Sequence, residues 1–240
     1  MSKLSWKLLQ ALNPPLARSS HGVSVINDKL YIFGGEHSAR SPIGPELHSL
    51  DLNDPNPGWQ EVIPEPNSKI PLPRFGHCQA SIGDSIFLFG GRMGTSIEEK
   101  LLNDLWQFNT INKTWIEISN FKNGTEPPSP RSFQSSVAIG ECIYVFGGCS
   151  AEGRLSDLHE YNTKEQTWKQ LSSKNEIQGR GGTPLVVSPD KTNIYVLGGF
   201  AGIYVKLCMY MIYIIYTVQY STVIRPNINM RSLYKSISSL

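Results

Sequence analysis

Cysteine is scarce in this chain: Cys78, Cys142, Cys149 and Cys208 are the only four, and they are scattered. None forms a Cys-x-x-Cys pair, and no cysteine–histidine set has the spacing of a zinc module, so no metal site is expected. Cys78 and Cys142 fall in or beside strand-like runs and read as small hydrophobes. Charge is also sparse. Asp, Glu, Lys and Arg make up 18% of the residues, the formal net charge is +2, and the basic residues are dispersed. A nucleic-acid surface is therefore not expected. The opening stretch, Met1–Leu12, lacks the apolar core of a secretory signal. Reduced thiols without a leader predict a cytoplasmic protein, in which the sequons at Asn112 and Asn123 carry no meaning. Long apolar runs are missing too. In Ile203–Val218 only 12 residues separate Lys206 from Gln219, against the roughly 20 that a membrane span needs. Four tyrosines within that run suit an interface better than a lipid core. A membrane partner is not expected. No phosphate loop and no paired nucleophile and base is present.

What the chain has in quantity is turn residues, 21 glycines and 16 prolines, and one phrase that recurs. Leu30-Tyr31-Ile32-Phe33-Gly34-Gly35 returns as Ile86–Gly91, Ile143–Gly148 and Ile194–Gly199, at intervals of 56, 57 and 51 residues. Such a period belongs to a repeat architecture. The β-branched and aromatic run suits a strand buried on both faces, and the glycine pair ends it where a Cβ would clash or another strand passes close. Each of the first three repeats also carries an earlier strand (Ser20–Ile26 in the first), a polar–apolar alternating third strand such as Asn103–Asn109 or Ser156–Asn162, and a last strand marked by Trp59, Trp115 or Trp168, whereas the fourth stops after its glycine pair. Trp6, in Ser5–Leu9, matches that last strand without the rest of its unit. The units run over about 18–63, 74–119, 131–172 and 180–202.

Four strands, a double glycine and a tryptophan at this period resemble the kelch repeat, and the resemblance covers residues 1–202. It implies an all-β, incomplete kelch-type propeller of three full four-stranded blades and a partial fourth, with strand 5–9 closing the last blade. Its structural repeat residues are Gly34, Gly35, Gly90, Gly91, Gly147, Gly148, Gly198 and Gly199 with Trp6, Trp59, Trp115 and Trp168. Residues 203–240 depart from the pattern. The run Ile203–Val218 is a candidate third strand for the fourth unit, but it has neither the Asp-Leu alternation nor the tryptophan. The tail is read as non-native or poorly ordered, as in a truncated or mis-spliced product. An open arc of this kind is expected to aggregate or to melt below a completed ring.

The resemblance implies a protein–protein interaction module whose loops present a binding surface. A tighter likeness lies in Ser20-His21-Gly22, Phe89-Gly90-Gly91-Arg92, Pro130–Ser135 and Arg180-Gly181-Gly182, which resemble the plant specifier proteins of glucosinolate breakdown. That family is an iron-dependent, lyase-like set acting on unstable aglucones. The likeness implies that Arg92 and Arg154 hold a sulfate group, as the planar guanidinium fork suits. It also implies iron in a full-length parent. The family's Glu-x-x-x-Asp-x-x-x-His ligand set is absent from this chain, so no cofactor and no catalytic residue is expected here. Arg18, Arg74, Arg131 and Arg180 recur at one register and read as structural, tying blade to blade. His21 and His77 read as satisfied core or interblade histidines. Asp157 and His159 share one face of a strand and, without a third partner, make no triad.

Overall fold

The computed structural model describes residues 8–94, 100–172 and 177–201, with the backbone alone of 212–217. The chain is built from antiparallel sheets laid face to face, and each sheet is one sequence repeat. Blade one comprises β1 (Gly22–Ile26), β2 (Lys29–Phe33), a small hairpin of β3 (Glu36–Ser38) and β4 (Ser41–Pro42), then β5 (Leu47–Asp51) and β6 (Gln60–Val62). Blade two holds β7 (Cys78–Ile82), β8 (Ser85–Met93), β9 (Lys100–Asn109) and β10 (Thr114–Ile118). A 3₁₀ turn at Lys122–Gly124 precedes blade three, made of β11 (Ser135–Ile139), β12 (Cys142–Ser150), β13 (Gly153–Asn162) and β14 (Thr167–Ser172). Blade four contains β15 (Leu185–Val187), β16 (Asn193–Leu197) and β17 (Ile212–Thr217). Each sheet is ordered as the chain runs. The first strands of successive blades touch one another, which makes them innermost. Among the described residues the sheets stack as consecutive blades of an incomplete propeller and do not close into a ring.

Alternation explains the stacking. Tyr31 and Phe33 of blade one pack against Ile86, Leu88 and Trp106 of blade two. Phe87 and Phe89 meet Ile143 and Val145 of blade three, and Tyr144 and Phe146 meet Ile194 and Val196 of blade four. Each second strand thus turns an aliphatic pair to the preceding blade and an aromatic pair, or Tyr and Phe, to the next. The last-strand tryptophans wedge into the same interfaces. Trp115 lies 5.4 Å from the Phe33 ring and Trp168 lies 5.3 Å from Phe89; such ring pairs add about 0.5–1.5 kcal/mol each to the burial itself. Because every blade is sandwiched, the third strands bury both faces: Leu105 joins the interface with blade three and Trp106 the one with blade one.

Three expectations change in detail. In blades two and three the second strand does not end at the glycines. β8 and β12 continue through them, with register shifts between Phe89 and Gly91 and between Phe146 and Gly148, so the pair is a bulge that bends the strand. Both glycines are left-handed, at φ 64° and 99° in blade two. A Cβ on Gly91 would stand 2.9 Å from the Phe75 carbonyl oxygen. The repeated arginines work mainly inside their own blades, as described below. Finally, blade four draws its third strand from the tail: Ile212–Thr217 pairs with Asn193–Leu197, where β-branched and tyrosine residues favour extended backbone. Of the closing strand expected at 5–9, residues 5–7 with Trp6 lie outside the described residues, as do Cys208 and the remainder of the tail, and Leu8 and Leu9 are not in a strand.

The outermost strands are sealed by the linkers that lead into their own blades. The Leu12 carbonyl accepts the Trp59 amide (2.8 Å), the Ser68 hydroxyl accepts the Trp115 amide (2.9 Å) and the Thr125 hydroxyl accepts the Trp168 amide (3.1 Å). An open strand edge is a template for association, and these straps cover part of it. Among the described residues no helix is long and apolar enough to cross a membrane.

Candidate binding rim at the glycine end of the blades

Where the chain enters each blade, the repeated arginine is a hub. Arg74 Nη1 donates to the Gly90 carbonyl (3.1 Å), and its fork grips Asp104 at 2.6 and 2.8 Å. Arg131 does the same with Gly147 (3.1 Å) and Asp157 (2.8 and 2.9 Å). Arg18 donates to Gly34 and Arg180 to Gly198. The side chain therefore fastens a blade to its own glycine bulge. The link between blades is made by the arginine's backbone, whose carbonyl accepts the second glycine amide of the preceding blade: Gly35 to Arg74, Gly91 to Arg131 and Gly148 to Arg180.

Asp157 has a second partner, His159 Nε2 at 2.8 Å, so Arg131, Asp157 and His159 form one buried network, and Arg131 Nη2 also donates to the Ser129 hydroxyl at 3.0 Å. Burial alone would raise the Asp157 carboxyl, but the hydrogen bonds and charge of His159 and Arg131 hold it well below the usual carboxylate range. In blade two Trp106 Nε1 takes the histidine's place on Asp104 (2.7 Å). The two aspartates are the partners that reading the sequence left unassigned, although Asn103-Asp104-Leu105 and Ser156-Asp157-Leu158 put them at one register.

Two residues beyond each arginine, the chain makes an inner collar. Gly76 N donates to Ser20 O (2.8 Å), Phe133 N to Gly76 O (2.6 Å) and Gly182 N to Phe133 O (2.8 Å). All four residues are left-handed, with φ of 56° at Ser20, 61° at Gly76, 56° at Phe133 and 61° at Gly182. For a phenylalanine that conformation is strained. One residue further on, His77 is buried at the interface of blades one and two, its ring edge-on to Phe33. Burial, with Arg74 and His21 nearby, pushes its pKa down to about 3. Its position is interblade as expected. Its ring nitrogens have no hydrogen-bond partner among the described residues.

Just past each glycine pair, one residue bridges back to the lead-in segment: Glu36 to Ser19, Arg92 to Phe75, Cys149 to Ser132 and Phe200 to Gly181. These positions form a rim of equal backbone and unlike side chains. The guanidinium of Arg92 lies 5.9 Å from the Phe75 ring centre and 5.6 Å from that of Phe133. Arg154 reaches the rim from β13, opposite Cys149 in the ladder, with its guanidinium 4.7 Å from the Phe200 ring and in contact with Cys149 Sγ. Arg154 also lines an open cleft of about 430 Å³ with Glu152, Ser156, Ile177 and Gln178. The structure thus sets Arg92 and Arg154 at the same end of consecutive blades, each against an aromatic ring. Burial raises the thiols of Cys78 and Cys142 to about 11, which suits inert core residues. Among the described residues no three His, Cys, Asp or Glu side chains converge as a metal ion requires, so they do not fit the iron site that the specifier likeness implies.

A family model described as the KLHDC2/KLHL20/DRC7 Kelch-repeats domain matches residues 20–224. The chain is also similar to N-(sulfonatooxy)prop-2-enimidothioate sulfolyase of Thlaspi arvense, 32% identical over 197 residues that cover 78% of this chain and 53% of the relative. It is similar to leucine-zipper-like transcriptional regulator 1 of Homo sapiens, 34% identical over 181 residues, 72% of this chain and 20% of the relative. A Rho GTPase-activating protein of Dictyostelium discoideum, gacHH, is 29% identical over 182 residues, 72% of this chain and 11% of that protein. The chain spans about half the length of the first of these relatives and a fifth or less of the other two.

Proposed function

Because the chain belongs to the kelch-repeat family, we propose that it is a binding module whose glycine-end rim receives another protein, acting in the cytoplasm. The observation that carries this reading is the contrast between frame and rim. The hub arginines occupy one register in every blade, whereas Glu36, Arg92, Cys149 and Phe200 place four different chemistries on one repeated backbone. Arginine and aromatic side chains are the residue types that dominate the energy of protein interfaces. The likeness to the regulator and to gacHH, of which this chain matches only 20% and 11%, supports it. The test is capture of a partner by the chain and by Arg92→Ala, Arg154→Ala and, on the outer face, Ile116→Ala. Each rim substitution is expected to weaken binding by at least about 1.5 kcal/mol, roughly tenfold in Kd, with Ile116→Ala unaffected. Rim variants that fold and bind as the parent does would place the interface elsewhere.

The sulfolyase likeness supports a second reading, a fragment of a specifier-like lyase. There Arg92 and Arg154 would hold the sulfate of a glucosinolate-type aglucone, and iron ligands would come from outside the described residues. Titration with inorganic sulfate separates the two: saturable binding lost in Arg92→Ala favours the lyase fragment, and its absence favours the module.

A further inference from the structure

We propose that Asn123 is a site of spontaneous deamidation, and that this modification unfastens the outer edge of blade three. Asn123-Gly124 is the single Asn-Gly pair in the chain, and it sits at the exposed tip of the strap that leads into blade three. Asparagines in comparable turns are tied down. Asn109 Oδ1 accepts the amides of Ile111 and Asn112, both at 3.0 Å, and Asn162 Oδ1 accepts those of Lys164 and Glu165 at 3.0 and 2.9 Å. The Asn123 carboxamide has no hydrogen-bond partner among the described residues. Asn123 is left-handed (φ 58°, ψ 25°), and nothing lies within 4 Å of where a Cβ on Gly124 would stand. The turn is closed by the Thr125 amide donating to Lys122 O (3.2 Å), and within that closure the exposed Asn123-Gly124 peptide has open space in which to swing toward the side chain.

The chemistry needs only water. The Gly124 amide nitrogen bonds to Cγ of Asn123, the bond from Cγ to the side-chain nitrogen breaks, and ammonia departs carrying the Gly124 N–H proton. The resulting five-membered imide adds water at either carbonyl. Opening at one gives an aspartate; opening at the other gives an isoaspartate, whose main chain runs through Cβ. Nothing is oxidised or reduced, and the charge changes by one negative unit in either case.

The strap has work to do. Lys122 N donates to Gln166 O (2.9 Å), the Thr125 hydroxyl donates to Lys122 O (3.0 Å), and the same hydroxyl accepts the Trp168 amide. Asn123 and Gly124 are the only residues between those anchors. One extra backbone atom there shifts Thr125 relative to Lys122, and the hydroxyl leaves the edge of β14. The strand beside Trp168 is then open to solvent.

The test ages the full chain, expressed in bacteria so that the Asn123-Gly124-Thr125 sequon carries no glycan, in mildly alkaline buffer. Trypsin cuts after Lys122 and Arg131, so the peptide 123–131 reports the site. It is expected to acidify well before the peptides carrying Asn109, Asn112 and Asn162, and Asn123→Gln is expected to abolish the change. Hydrogen exchange of the Trp168 amide is expected to rise in aged protein and not in aged Asn123→Gln. A peptide 123–131 that acidifies no faster than the others would overturn the site. Complete conversion with unchanged Trp168 exchange would overturn the unfastening.

Discussion

Asp157→Ala is expected to cost about 3–5 kcal/mol, the range for stripping one partner from a buried ion pair, and to leave blade three unfolded near physiological temperature. The Arg131 side chain is 1% exposed and that of Asp157 is 11% exposed, so water cannot replace the lost carboxylate. Both ends of the Arg131 fork lose their charged acceptor, keeping only the neutral Gly147 carbonyl and Ser129 hydroxyl, and His159 Nε2 loses its partner altogether. Against a domain stability of about 5–15 kcal/mol the loss is large. The equivalent change in blade two, Asp104→Ala, is expected to cost less, because that carboxylate is 24% exposed and solvent can approach the abandoned guanidinium. Thermal melts of both variants decide the matter. Equal, small shifts would mean that the hub arginines are held by the glycine carbonyls alone.

Acid is expected to destabilise the fold well before ordinary carboxylates titrate. His77 is buried between blades one and two, and its pKa is pushed down from 6.5 to about 3 by desolvation, Arg74 and His21. A depressed imidazole means that the unfolded chain binds the proton that the folded chain refuses. Stability is then fully present above pH 6.5 and falls as pH drops toward 3, by roughly 4–5 kcal/mol over the whole interval. Asp157 adds loss in the same direction, since its pKa is lowered and its protonation also favours the unfolded chain. Gln134 occupies the His77 register one blade on and donates to the Phe89 carbonyl (2.8 Å), so His77→Gln is a substitution that the frame already accommodates. Denaturant melts between pH 7 and 4 should be steeply pH-dependent for the parent chain and flatter for His77→Gln. Parallel curves would remove His77 as the cause.

The blades were legible because their signals are local. A glycine pair at positive φ leaves a mark on the sequence that few other residues can make, and the β-branched and aromatic run of Leu30–Phe33 and its copies marks a strand buried on both faces, though which face meets which neighbour emerges only from the stacked blades. The kelch resemblance and its all-β architecture followed from the four-strand period, the double glycine and the last-strand tryptophan together. What was not legible depends on partners distant in sequence. Arg131 and Asp157 are 26 residues apart, and nothing in either residue says that the arginine turns into its own blade. The passage of β8 and β12 through their glycines is set by pairing with β9 and β13, not by the glycines. Phe133 adopts its strained backbone because the collar needs that shape at every blade, and a reading residue by residue expects glycine there. At the rim, the sequence offers Arg92 and Arg154 as candidate ligand holders, but the rings of Phe75, Phe133 and Phe200 beside them emerge only when blades are stacked.

The straps that seal each outer strand set where the chain can be cut and rejoined. Residues 64–118 carry both the outer strand β10 and the Ser68 hydroxyl that guards it. Residues 119–172 likewise carry β14 and Thr125. A segment excised at Pro64 and Ile118 is therefore a transferable cassette that brings its own edge protection to any host. One excised at Arg74 and Pro130, after the strap, would leave a raw strand in the donor's place and import a lid with nothing to cover. Shuffling blades between such proteins should succeed at the first pair of junctions and yield insoluble chimeras at the second.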